Sequence, residues 1–155
     1  MSLFSLFFIS CFGNHQLRTI QKFSSEHNIA SLAEILESSK HAYLREEAII
    51  EMSSFQERAW DQSAKDIVLQ CTTSETERCN IRGYCAYTLG KIGEASAVEA
   101  IISAMEQCDS ESRYWMLLGL EPLAAESSLA RAQISALKQD IDIFIRVRAQ
   151  NGPAK

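Results

Sequence analysis

The chain has 155 residues, 46% of them hydrophobic, with a formal net charge of -5. That length suits one domain with a continuous core. The acidic balance speaks against a nucleic-acid backbone as partner, because phosphate contacts need clustered Lys and Arg. It fits a basic protein partner reached through electrostatic steering.

The first twelve residues, MSLFSLFFISCF, are strongly apolar. No Lys or Arg precedes the run, as a secretory signal would require, and it is far short of the ~20 residues of a membrane span. Ile9-Ser10-Cys11 loosely matches a bacterial lipoprotein cleavage site, but the apolar part before it is short for one. The preferred expectation is a helix that packs Leu3, Phe4, Phe7 and Phe8 on the end of the domain as a cap, with a homodimer contact as the alternative. Gly13-Asn14 breaks the run, and Leu17, Ile20 and Phe23 predict a short amphipathic helix.

Ser31 with Glu34 reads as a capping box opening a helix that buries Leu32, Ile35 and Leu36. Leu44, Ala48, Ile49, Met52 and Phe55 share the face of the next helix. A further helix over 57–70 carries Trp60, Ala64, Ile67, Val68 and Cys71. Ile81 to Met105 holds two periodic segments joined by a turn at Gly93, the second opened by Ser96 and Glu99. Asp109 opens the segment SRYWMLLGLEPLA. Ser127 opens a partner helix with Leu129, Ala132 and Leu137. Asp140 opens the last helix, which holds Ile141, Ile145 and Ala149, and Asn151-Gly152-Pro153 stops it. No stretch has the alternation of a sheet.

Aligned on Arg45, Arg82, Arg113 and Arg146, spaced 37, 31 and 33 residues apart, the chain repeats itself. An apolar residue or Ser112 precedes each arginine. Three places on stand Ala48, Cys85, Met116 and Ala149; seven on, Met52, Leu89 and Leu120; ten on, Phe55, Ile92 and Leu123. A cation at a helix start works against the helix dipole. The recurrent arginine is therefore expected to pair with a carboxylate of the adjacent repeat and hold the stack in register.

The segment IRGYCAYTLGKIGEASAVEAIISAM resembles the short HEAT-like repeats named after phycobilisome lyases. Arg82, Ala86, Leu89, Gly90, Ile92, Gly93, Ala97 and Val98 match that pattern, and LREEAIIEM and DIFIRVRAQ match it in part. The resemblance covers roughly residues 30–150. It implies an all-α, right-handed α-α superhelix of about three to four helical hairpins with an N-terminal helical cap. The expected organisation is a single domain over 1–155, with capping helices in 1–28, repeats in 29–150 and a tail in 151–155. It implies no single activity.

Catalytic and metal-binding patterns are absent from the sequence. His15, His27 and His41 lie beside turns, with no Cys, Asp or second His at ligand spacing. Neither GxSxG nor HExxH occurs. No cofactor, metal or catalytic residue is expected, and no membrane or nucleic-acid partner. The five cysteines make no CxxC pair. Read as buried reduced thiols, they predict a reducing, cytoplasmic setting.

Two surface features point to a partner. At ~100° per residue, the position five after each arginine faces away from the core and the position two after lies on its flank. Stacking would align Ile50, Tyr84, Tyr87, Trp115 and Leu118 into an apolar stripe, with Glu47 beside it. The second helices would present Glu34, Glu37, Asp61, Asp66, Glu99 and Glu106, grading to Arg131 and Lys138. The functional expectation is a protein-binding module, most specifically a small immunity protein that occludes the active site of a basic, nuclease-like bacterial toxin. The alternatives are a lyase-like or other cofactor-handling repeat enzyme, and a homo-oligomeric scaffold joined through the N-terminal apolar helix.

Overall fold

The computed structural model describes residues 15–152. The proposed cap and dimer contact on Leu3, Phe4, Phe7 and Phe8, and Cys11 with them, lie outside the described residues. Those residues form helices joined by short loops, with no strand among them. We number them α1 (15–25), α2 (Ile29–Ser38), α3 (Ala42–Met52), α4 (Gln62–Thr73), α5 (Cys79–Lys91), α6 (Val98–Gln107), α7 (Ser110–Leu123), α8 (Ser128–Leu137) and α9 (Ile143–Asn151). Single 3-10 turns occur at Glu57–Ala59 and Ala95–Ala97.

From α2 onward the helices fall into two rows. In one row α2 lies against α4, α4 against α6 and α6 against α8; in the other α3 lies against α5, α5 against α7 and α7 against α9. Across the rows, α2 pairs with α3, α4 with α5, α6 with α7 and α8 with α9. α5 meets the Ala95–Ala97 turn more closely than α6 itself, so the expected unit over 81–105 is not a closely packed pair; α5 packs chiefly on α7 and next on α4.

The arginine-based alignment describes the core. Leu44, Ile81, Ser112 and Ile145, one place before each arginine, are all buried. So are Ala48, Cys85, Met116 and Ala149, then Met52, Leu89 and Leu120, then Phe55, Ile92 and Leu123. A buried residue every three to four positions is one helical stripe, and each stripe faces the opposite row.

Helix starts differ from expectation where another residue wins the orphan N–H groups. Asn28 caps α2 by accepting from the Ser31 N–H, so that helix begins ahead of Ser31. Ser96 spends its hydroxyl on Glu94 and caps nothing; α6 starts at Val98 without a side-chain cap. Asp109 and Ser127 cap α7 and α8 as expected, accepting from Ser112 and Ala130. The last helix is capped by Asp142, which leaves Ile141 outside it and 90% exposed. In α8 the buried face is Ala130 and Leu137, while Leu129 and Ala132 are exposed. Gly93 takes φ +73° at the turn after α5, the left-handed conformation that ends a helix most cheaply in glycine.

Where α5 crosses α7 the backbones touch. A Cβ on Gly90 would lie 1.9 Å from the Gly119 carbonyl oxygen, and one on Gly119 would lie 2.4 Å from that of Ala86. Only two glycines permit this approach.

The reduced-thiol expectation is overturned. Cys71 pairs with Cys85, joining α4 to α5, and Cys79 pairs with Cys108, joining the start of α5 to the residue after α6. Their Cα atoms are 6.3 and 5.4 Å apart, within disulfide reach. Spacing along the chain hid both bonds, because each links residues that meet only once the helices stack. With four of the five cysteines paired, the premise of a cytoplasmic setting is lost.

Candidate protein-binding face

The four arginines form a ladder with two contacts per rung. Backward, each donates to a backbone carbonyl that closes the preceding segment: Arg45 to Ser39 (2.7 Å), Arg82 to Thr72 (3.0 Å), Arg113 to Cys108 (3.5 Å) and Arg146 to Asp140 (2.6 Å). Forward, three of them reach an acceptor just ahead of the next helix in the row. Arg45 makes a two-pronged contact with Glu77 at 2.5 and 2.8 Å. Arg82 donates to the Gln107 carboxamide at 2.9 Å and Arg113 to Asp140 at 2.9 Å. The expected carboxylate is thus present at two rungs and replaced by an amide at the third. The amide goes with the most buried arginine: Arg82 is 3% exposed, and burial pulls its pKa down. Among the described residues Arg146 has the backward contact alone.

The apolar stripe is only partly at the surface. Ile50 on α3 is 39% exposed, whereas Tyr84, Tyr87, Trp115 and Leu118 are half-buried, as is Glu47. Stacking consumes the difference. The Trp115 ring lies 4.9 Å from that of Tyr84 and 5.4 Å from that of Tyr87, so the three aromatics bridge α5 and α7. Burial raises the Tyr84 hydroxyl pKa, and Glu46 and Glu111 nearby add to the effect. The aromatic group therefore has acidic neighbours on both sides.

Trp115 also opens onto a cleft of about 1220 Å3 between α7 and α9. Tyr114 and Trp115 form one wall and Ile143, Phe144 and Val147 the other, with Glu111 and Asp142 at the helix starts. Phe144 is 75% exposed. Arg148, two-pronged on Glu121 at 2.6 and 2.5 Å, fastens α9 to α7 beneath the cleft. The sequence reading missed this wall. The run IDIFIRV has apolar residues on every side of a helix, which is the signal that some must remain outside.

The acidic positions of the second row are at the surface: Glu34, Glu37, Asp61, Asp66, Glu99 and Glu106 are exposed, and so are Arg131 and Lys138. Two of the carboxylates have local work. Asp61 caps α4 through the Ala64 N–H, and Asp66 accepts from Gln62 at 2.8 Å. Among the described residues no group of three His, Cys, Asp or Glu is placed to hold a metal ion, and no helix is long and apolar enough to cross a membrane. Comparison with protein-family models, with curated proteins and with solved structures returned no match to this chain.

Proposed function

We propose that the chain is a HEAT-like repeat protein whose work is binding another protein, and more specifically a small inhibitor of the immunity type, which covers a basic surface of its target. The observation that carries the reading is an apolar face running from Tyr84 and Tyr87 across Trp115 into the cleft walled by Phe144 and Val147. Aromatic anchors in a desolvated patch with charged neighbours are the usual composition of an interface centre. The exposed carboxylates of α2, α4 and α6 would speed the approach of a basic partner and fix its orientation. Two disulfides in so short a chain support a partner met in an oxidising compartment.

A photo-crosslinking amino acid placed at Tyr87 and, as a control, at the exposed Ala132 tests this in cells of the source organism. Capture of one basic protein from Tyr87 and none from Ala132 is the expected result. Cross-links only to a second copy of the chain, or equal capture from both positions, would remove the inhibitor reading.

A further inference from the structure

Among the described residues the arginine ladder is complete at three rungs and half-made at the fourth. At each complete rung, the next segment brings an acceptor to the arginine and then a helix that covers the preceding row member. Glu77 precedes α5, Gln107 precedes α7 and Asp140 precedes α9. Beyond α9 the described residues supply neither. Arg146 keeps only its backward carbonyls, Asp140 and Ile141, and beside it Ile143, Phe144 and Val147 are 57%, 75% and 46% exposed. Outside α9, large apolar side chains among the described residues are exposed singly, at Tyr43, Ile50, Leu129 and, in the loop before α9, Ile141. Three together on one helix, beside an arginine lacking its forward partner, form a face of the kind that receives a helix at every earlier rung.

We propose that the outer face of α9 docks an amphipathic helix of a partner protein, carrying apolar residues for Ile143, Phe144 and Val147 and, just ahead of the helix, an Asp, Glu or Gln for the Arg146 guanidinium. The proposal rests on the protein-binding reading above and narrows it to one face and one kind of ligand. Charge complementarity selects this occupant over two from the chain itself. Residues 1–14 contain no Asp, Glu or Gln, so that segment brings apolar side chains and none of the three acceptor types. A second copy stacked head to tail would lead with α1, which lies along α3 through Gln16 and Ser24, and the residues ahead of α1 are this same acceptor-poor segment. A copy related by a two-fold axis would bring one Arg146 into the same interface as the other.

The test selects binders to the full oxidised chain from a displayed library of amphipathic helical peptides, with every residue type allowed at the position ahead of the helix. Enrichment of Asp, Glu or Gln there is expected, with binding lost by about tenfold or more in Phe144→Asp and Val147→Asp, as for central apolar anchors. Selection on Arg146→Glu should switch the enriched position to Lys or Arg. Phe144 and Val147 are exposed, so both variants should keep the parent's melting temperature, which shows that lost binding is not lost fold. Binders indifferent to both Asp variants, enrichment without preference at the leading position, or no enrichment would each overturn the proposal. So would a concentration-dependent mass in sedimentation that Phe144→Asp abolishes, since the occupant would then be a second copy. Capture from Tyr87 that persists in Phe144→Asp would separate failure here from failure of the broader binding role.

Discussion

The α5/α7 crossing and the α9 end are built from the same repeated positions, yet they differ in almost every physical respect. At the crossing, helix backbones touch through Gly90 and Gly119, Arg82 is buried with both contacts made, and two disulfides tie α5 to its neighbours. At α9 the same frame buries only Ile145 and Ala149, the arginine is half-used, and apolar side chains face solvent. A helix pair is stabilised by what stacks on it, so the same set of positions yields a buried centre and an exposed end.

The largest expected effect breaks the centre covalently. Each cross-link closes a loop, of 14 and 29 residues in sequence, and each is worth roughly 3 kcal/mol to a small domain. Reduction of both should cost on the order of 5 kcal/mol and lower the melting temperature far more than any change at α9. Equal stability with and without dithiothreitol would show that the cross-links do not hold the centre.

Next comes the crossing itself. Gly90→Ala places a methyl where the Gly119 carbonyl stands, and backbone cannot step aside as a side chain can. The helices must part, at about 3 kcal/mol or more. Gly93→Ala meets nothing within 4 Å and strains only a φ of +73°, for about 1 kcal/mol. Chemical denaturation of the two variants should rank them in that order, and the reverse ranking would place the tight approach elsewhere.

The arginines sharpen the comparison. Arg82→Ala strands the Thr72 carbonyl and the Gln107 amide near buried surface, at about 2 kcal/mol. Arg146→Ala loses a contact to exposed backbone and should stay within about 0.5 kcal/mol. If the two cost the same, the fourth rung is as occupied as the second.

Much of this contrast was legible before any coordinates. The repeat frame placed Leu44, Cys85, Leu120 and Ile145 inside correctly, because a helical stripe depends only on local periodicity. It also expected a carboxylate of an adjacent segment on each arginine, which Arg45 and Arg113 have and Arg82 does not. What escaped it depends on neighbours. Tyr84, Tyr87 and Trp115 were read as a free stripe, but inter-helix stacking takes half their surface. Cys79 and Cys108 show no motif because the pair forms across the gap between adjacent segments. Both stand shortly before an aligned arginine, Arg82 and Arg113. That shared placement was the available signal, and spacing rules alone do not read it.

A further effect concerns pH, and it tests the ladder at its first rung. Burial pushes the Glu77 carboxyl up, but the Arg45 guanidinium and the Arg78 N–H outweigh burial and hold it below the ordinary value near 4.5. A carboxyl with a lower pKa folded than unfolded takes up its proton first in the unfolded chain. Its contribution is therefore present above about pH 4.5 and lost as pH falls through the folded value. Glu94, held down by Ser96 and Lys65, and Asp109, held down by Ser112, act in the same sense. Glu77→Gln keeps a hydrogen-bond acceptor for Arg45 and removes the titration, which is the state Gln107 already gives Arg82. At neutral pH the variant should lose about 1 kcal/mol, the scale of a partly exposed ion pair. As pH falls below about 4.5 its stability should fall less steeply than the parent's. Parallel pH profiles would mean that Glu77 does not carry the acid sensitivity, and that the first rung holds by geometry rather than by charge.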